Sequence, residues 1–152
     1  MNEAARAIHN AGAYANIQLS HGGKYGGLAS VGGNVATCET AYGPSYEMTP
    51  MGEVHEMPRT LIYEIIKSYG EAARLCKETG FDMVQVHAAH GWLFSQFLSP
   101  VMNQRKDEFG GSLENRARFF LIKANISSKK VNHIFRLKQE FQVMILRTMD
   151  WD

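Results

Sequence analysis

The chain has 152 residues, the size of one ordinary domain, and its 45% hydrophobic and 20% charged residues make a globular composition rather than a disordered or membrane one. Sixteen basic against fifteen acidic side chains leave +1, so no field draws in nucleic acid or an anionic membrane surface. Apolar stretches fall far short of the roughly 20 residues a membrane helix needs, and Met1-Asn2-Glu3 lacks a signal-peptide pattern. Cys38 and Cys76 form no CxxC pair, so two free thiols in a reducing cytoplasm are expected.

Ala4 to Ala11 reads as the end of a helix closed by Gly12, followed by a short strand over Tyr14 to Leu19. The glycine-rich run from Gly22 to Gly33 is too flexible for a regular element and marks a loop or a close backbone approach to a ligand. Residues 34–57, with Gly43-Pro44-Ser45 and Thr49-Pro50, are expected to form a long irregular connection. Pro58 then opens the clearest helix, because proline's missing N–H is no loss in a first turn. Its apolar stripe runs through Leu61, Ile62, Ile65, Ile66, Tyr69, Ala72, Ala73, Leu75 and Cys76, and Gly80 stops it. Phe81 to His87 reads as a buried strand, so strand, helix and strand make a βαβ unit with parallel strands. Helical periodicity resumes over Trp92 to Leu98 and again after Ser112, an N-cap serine.

Ligands in βα folds sit beyond the carboxyl ends of the strands. The two strands end in Gln18-Leu19-Ser20-His21 and His87-Ala88-Ala89-His90, which gathers an amide and three imidazoles on one rim. A carboxamide both donates and accepts, which suits the pyrimidine edge of a flavin or nucleotide. Paired imidazoles can hold an oxygen that turns negative as a conjugated carbonyl is reduced. The same His-x-x-His pair also reads as structural or as half of a metal site, although zinc would need further ligands that no Cys or acidic cluster is placed to supply.

Past the histidines, His87-Ala88-Ala89-His90-Gly91-Trp92-Leu93 runs into Gln96-Phe97-Leu98-Ser99-Pro100 and then Asn103 through Phe119. Together with Ile17 to Lys24, Gly43-Pro44-Ser45 and Gly80-Phe81-Asp82, in that order, this resembles the old yellow enzyme family, in the branch of 2,4-dienoyl-CoA reductase and bacterial NADH:flavin oxidoreductases. The resemblance covers roughly residues 4–121. It implies an FMN-binding (β/α)8 TIM barrel that reduces activated C=C bonds of an enone or enoyl substrate with hydride from NADH or NADPH. On that analogy Gln18 binds the flavin's pyrimidine edge, while His87 and His90 are catalytic, holding the substrate carbonyl or the nicotinamide amide. Trp92 lines the substrate site where many relatives have a tyrosine, and an indole is no useful acid near neutral pH. Lys24 replaces the family's usual arginine. Arg105, Asp107, Arg116 and Arg118 are expected to fix the turn before a helix, and His21 to be a packed, hydrogen-bonded histidine.

A TIM barrel takes about 250 residues, so residues 1–122 are expected to be a partial FMN-binding barrel around its third and fourth strands, inactive as a truncated chain. An iron–sulfur cluster, if the ancestral enzyme had one, belongs to the missing part. Residues 123–152 read as a divergent tail. Read from each codon's third base, Met149-Asp150-Trp151-Asp152 forces Gly-Leu-Gly, and permitted codons over Gln139 to Asp152 restore a sequence like the family's fifth strand, which fits an out-of-frame origin. Two rival functions stand beside the enzyme: a non-catalytic half-barrel for binding or assembly, and a metal-binding protein using His87, His90 and His21. The parallel pair alone would leave two open edges and expose an apolar face containing Val84 and Val86, or the residues opposite them.

Overall fold

The computed structural model describes residues 2–26, 40–50, 52–127 and 143–147; Cys38 and most of the glycine-rich run lie outside them. Helix α1 (Asn2–Asn10) leads into strand β1 (Asn16–Leu19), and helix α2 (Arg59–Glu78) leads into strand β5 (Met83–His87). Between β1 and α2 come three short strands, β2 (Ala41–Gly43), β3 (Glu47–Thr49) and β4 (Gly52–Glu56). Helices α3 (Leu93–Leu98) and α4 (Leu113–Ser127) follow, then strand β6 (Val143–Arg147). Pro58 caps α2 in extended conformation and Gly80 leaves it at φ 90°, so the predicted start and stop hold.

β1 and β5 are parallel, with Gln18 opposite Gln85 and Leu19 opposite Val86, as the βαβ reading requires. Their helix-side face is apolar and covered. Val84 packs with Ala5, Ala15, Ala73, Cys76 and Phe81, joining α1 and α2 to the sheet. Val86 joins the larger core of Ile62, Ile65, Tyr69, Phe94, Phe97, Phe109 and Phe119. The expectation of exposed valines is therefore corrected: both are fully buried. The opposite face of β1 and β5 carries the polar side chains of Asn16, Gln18, Gln85 and His87 beside Met83, and Asn16 Nδ2 donates to Gln85 Oε1 at 3.0 Å. These side chains are separated from Val84 and Val86 because alternate residues of a strand point to opposite sides. In α2, Leu75 leaves the predicted stripe and is exposed, since it lies off the line through Ile62, Ile66, Ala73 and Cys76.

The two-open-edge expectation also changes. The outer edge of β5 is paired with β6, antiparallel, with Val84 opposite Leu146 and Val86 opposite Met144. β1 remains an edge strand among the described residues. The tail expected from residue 123 thus contributes the last turns of α4 and this strand; its other residues lie outside the description.

Residues 34–57 are not an irregular connection where they are described. β4 pairs with β2 in parallel and with β3 in antiparallel fashion, forming a second small sheet. Val54 at its centre is fully buried with Ala41. Proline and glycine punctuation hid strands of three to five residues, too short for alternation to register. A buried arginine fastens this sheet to the rest. Arg105 donates to Pro44 O (3.1 Å) and Met57 O (2.8 Å) and forks onto Asp107 at 3.0 and 2.6 Å. Arg116 Nε bonds Leu98 O and Arg118 Nε bonds Glu108 O, both at 2.8 Å, so these cations hold the turn before α4. Ser112 Oγ accepts the Asn115 N–H at 3.3 Å, in the manner of an N-cap.

Candidate active site

Register places Gln18 and His87 at the same end of neighbouring parallel strands, on the polar face of the sheet. Gln18 Nε2 lies 3.2 Å from His87 Nδ1. An amide nitrogen can only donate, so Nδ1 is the acceptor and the His87 proton sits on Nε2. His90 Nδ1 lies 3.4 Å from His87 Nε2, and the same logic makes His90 Nδ1 an acceptor and its Nε2 a donor. The result is one directional row, Gln18 to His87 to His90, ending in an outward N–H. At 3.4 Å the imidazole–imidazole bond is long and readily given up, which would release the His87 N–H to join His90 on one oxygen. Burial, and then the charge His90 would carry, hold His87 below the ordinary imidazole pKa, so it is neutral at pH 7.

His90 is the one described non-glycine residue with positive φ, at 56°, followed by Gly91 at 78°. The left-handed conformation costs a residue with a Cβ roughly 1 kcal/mol, and it turns the imidazole of His90 back over that of His87, their ring centroids 5.1 Å apart. Trp92 closes the turn: its backbone N–H donates to Ala89 O at 3.1 Å. The indole stands 6.3 Å from the His87 ring and meets Tyr25 edge-on at 6.5 Å. Trp92 is therefore a wall beside the imidazole pair.

His21 is set apart. Its Nδ1 accepts the Gly23 N–H at 2.9 Å, its carbonyl accepts the Leu93 N–H at 3.0 Å, and burial lowers its pKa. It lines an apolar cavity of about 360 Å³ with Tyr42, Met57, Leu61 and Ile65, a space that neither His87 nor His90 lines. Among the described residues no three His, Cys, Asp or Glu side chains converge as a metal site.

Two residues support the site: Lys24, noted in the sequence only as a replacement for arginine, and Gln96, which stood there only as part of a motif. Lys24 is buried, ion-paired with Glu47 at 2.8 Å. Gln96 is fully buried, and its carboxamide makes three hydrogen bonds to the loops after β1 and β5. The available signal was a lone amide inside the apolar run Leu93-Phe94-Ser95-Gln96-Phe97-Leu98.

Parallel strands ending in an amide and an imidazole pair, with helices on the opposite face, define a piece of a βα-barrel oxidoreductase. The sequence profile of the NADH:flavin oxidoreductase / NADH oxidase family matches residues 2–133, and the chain belongs to that family, the old yellow enzymes, whose members are FMN-dependent oxidoreductases using a nicotinamide hydride donor. It is 39% identical over 119 residues to an NADPH dehydrogenase of Geobacillus sp. (strain WCH70), covering 78% of this chain and 33% of that protein. An NADPH dehydrogenase of Bacillus subtilis (strain 168) is 38% identical over 112 residues, 74% of this chain and 31% of the relative. Among solved structures, a 2-naphthoyl-CoA reductase in complex with 2-naphthoyl-CoA superposes with a TM-score of 0.68 at 37% identity, over 80% of this chain and 20% of that one. Morphinone reductase superposes with a TM-score of 0.66 at 32% identity, over 79% and 36%. The chain thus spans about a third of the curated relatives it matches, and the described strands do not close a barrel.

Proposed function

We propose that these residues are the part of an FMN-dependent ene-reductase that holds the substrate's carbonyl oxygen, within an enzyme reducing activated C=C bonds of enone or enoyl compounds with NADH or NADPH. The observation that carries this reading is the row Gln18–His87–His90 at the carboxyl ends of two parallel strands. Gln18 is exposed on the polar face, and its carboxamide offers a donor and an acceptor to a pyrimidine edge. That chemistry fits FMN, which when bound and reduced supplies the hydride.

The rest falls to the side chains. His87, held neutral, and His90 donate N–H bonds to an oxygen whose charge grows during reduction, an arrangement that favours the transition state over the ground state. Trp92 confines the substrate beside them. It supplies no proton, since an indole N–H does not ionise near neutral pH, so the proton on carbon comes from solvent or another residue. The dienoyl-CoA branch is favoured within this reading by the order of the motifs through Phe119, and a cytoplasmic setting by the expected free thiols. We further propose that the 152 residues alone do not turn over, because two parallel strands enclose no cofactor.

A chimera tests the reading. These residues replace the matching third of the Geobacillus NADPH dehydrogenase, and flavin absorbance and NADPH-dependent reduction of cyclohexenone are measured. A yellow chimera that reduces the enone is expected. A chimera that holds FMN and is reduced by NADPH, yet leaves the enone untouched, would refute it.

A further inference from the structure

The loop after β1 and the loop after β5 carry every candidate site residue except Gln18 and His87 themselves, and one side chain joins them. Gln96 Oε1 accepts the Lys24 N–H at 3.0 Å, while Nε2 donates to Gly22 O at 3.1 Å and to Gly91 O at 2.6 Å. The side chain is fully buried, so no water replaces these bonds. The fit is tight: a Cβ on Gly23, at φ +57°, would sit 2.3 Å from Gln96 Oε1. Gly91, the carbonyl held most closely, lies between His90 in its left-handed turn and Trp92.

We propose that Gln96 is the positioning residue of the imidazole pair, locking the two strand-end loops together and holding the His90–Gly91 turn so that His90 faces His87. The proposal rests on the reading of that pair as oxygen-holding donors. Its mechanism is geometric. Two amide protons and one amide oxygen match two carbonyls and one N–H, and no other neutral side chain of this length does so. Without it, the Lys24 N–H and the Gly91 carbonyl lose their partner, Gly22 O keeps only the Tyr25 N–H, and the turn relaxes toward negative φ.

The test uses the full chain with ¹⁵N-labelled histidine and neither flavin nor substrate, so its failure is separate from failure of the ene-reductase reading. In the native chain His87 and His90 are each expected to show a single tautomer, protonated on Nε2. Gln96→Met keeps the length and removes all three bonds. The variant should retain its helical circular dichroism and the ring signals of His9 and His55, while the signals of His87 and His90 move to the averaged values of free imidazole. A folded variant whose His87 and His90 signals superpose on the native ones would overturn the proposal. Should the variant not fold, the native chain decides. Gln96 carboxamide protons exchanging at least about tenfold more slowly than those of an exposed glutamine, with cross-peaks to Gly22 and Gly91, support the anchor. Exchange at the exposed rate removes it.

Discussion

Gln18 on β1 and His87 on β5 meet across the parallel pair at 3.2 Å, amide nitrogen to Nδ1. That bond settles which nitrogen of His87 bears the proton, and the tautomer then propagates to His90 through the 3.4 Å approach of the two rings. A residue read as a flavin ligand therefore has a second influence, on the direction in which the imidazole pair offers its protons. The expected role of both histidines as donors to a single oxygen requires the long ring-to-ring bond to open when an oxygen arrives.

In the active chimera, His87→Ala combined with His90→Ala should leave flavin bound and remove the donors to the developing charge. Loss of such donors typically costs on the order of 10²–10³ in rate. Steady-state turnover of cyclohexenone, with flavin content measured on the same sample, checks it. Undiminished turnover would make the pair structural.

The stability of the chain should fall as pH drops below about 6.5. His21 and His87 both have pKa values lowered by burial. Between the folded value and the ordinary one, the unfolded chain takes up protons that the folded chain refuses. Stability is complete above the ordinary imidazole value and declines as pH falls through this window. His21→Asn keeps an acceptor for the Gly23 N–H without a titrating ring, so its melting temperature should fall less steeply between about pH 7.5 and 5.5. Parallel slopes for the two proteins would show that His21 does not contribute.

Arg105→Lys should be costly despite preserving the charge. The guanidinium is 3% exposed and serves two carbonyls and both oxygens of Asp107. Lysine has one nitrogen, cannot fork, and would leave buried partners unmatched. A loss on the order of 3 kcal/mol in urea denaturation is expected. A variant within about 0.5 kcal/mol of the native chain would show that the clamp is dispensable.

Two adjacent glycines should respond differently to alanine. At Gly111, φ is +78° with open space around the missing Cβ, so only backbone strain of about 1 kcal/mol is at stake. At Gly110, φ is ordinary, but a Cβ would stand 2.2 Å from the carbonyl oxygen of Arg105. Backbone cannot yield as a side chain does, so Gly110→Ala should cost several times more and loosen the Arg105 clamp. Equal denaturation midpoints for the two variants would contradict this.

Much of the fold could be read directly from local chemistry. Pro58 and Gly80 bound α2, three-to-four spacing makes its stripe, and the apolar run before His87 makes a strand, because each signal acts within a few residues. The rim of Gln18, His87 and His90 followed from a topological rule about strand ends. What only the tertiary structure decided were the relations between distant segments. The strands within 41–56 are too short to announce themselves and exist through pairing with one another. Val84 and Val86 are covered because α1 and α2 both lie on one face, leaving Asn16, Gln18, Gln85 and His87 on the other. Gln96 reads as an ordinary helix residue until folding brings the carbonyls of Gly22 and Gly91 to its amide, for its hydrogen bond to Gly22 takes its meaning from a partner 74 residues away.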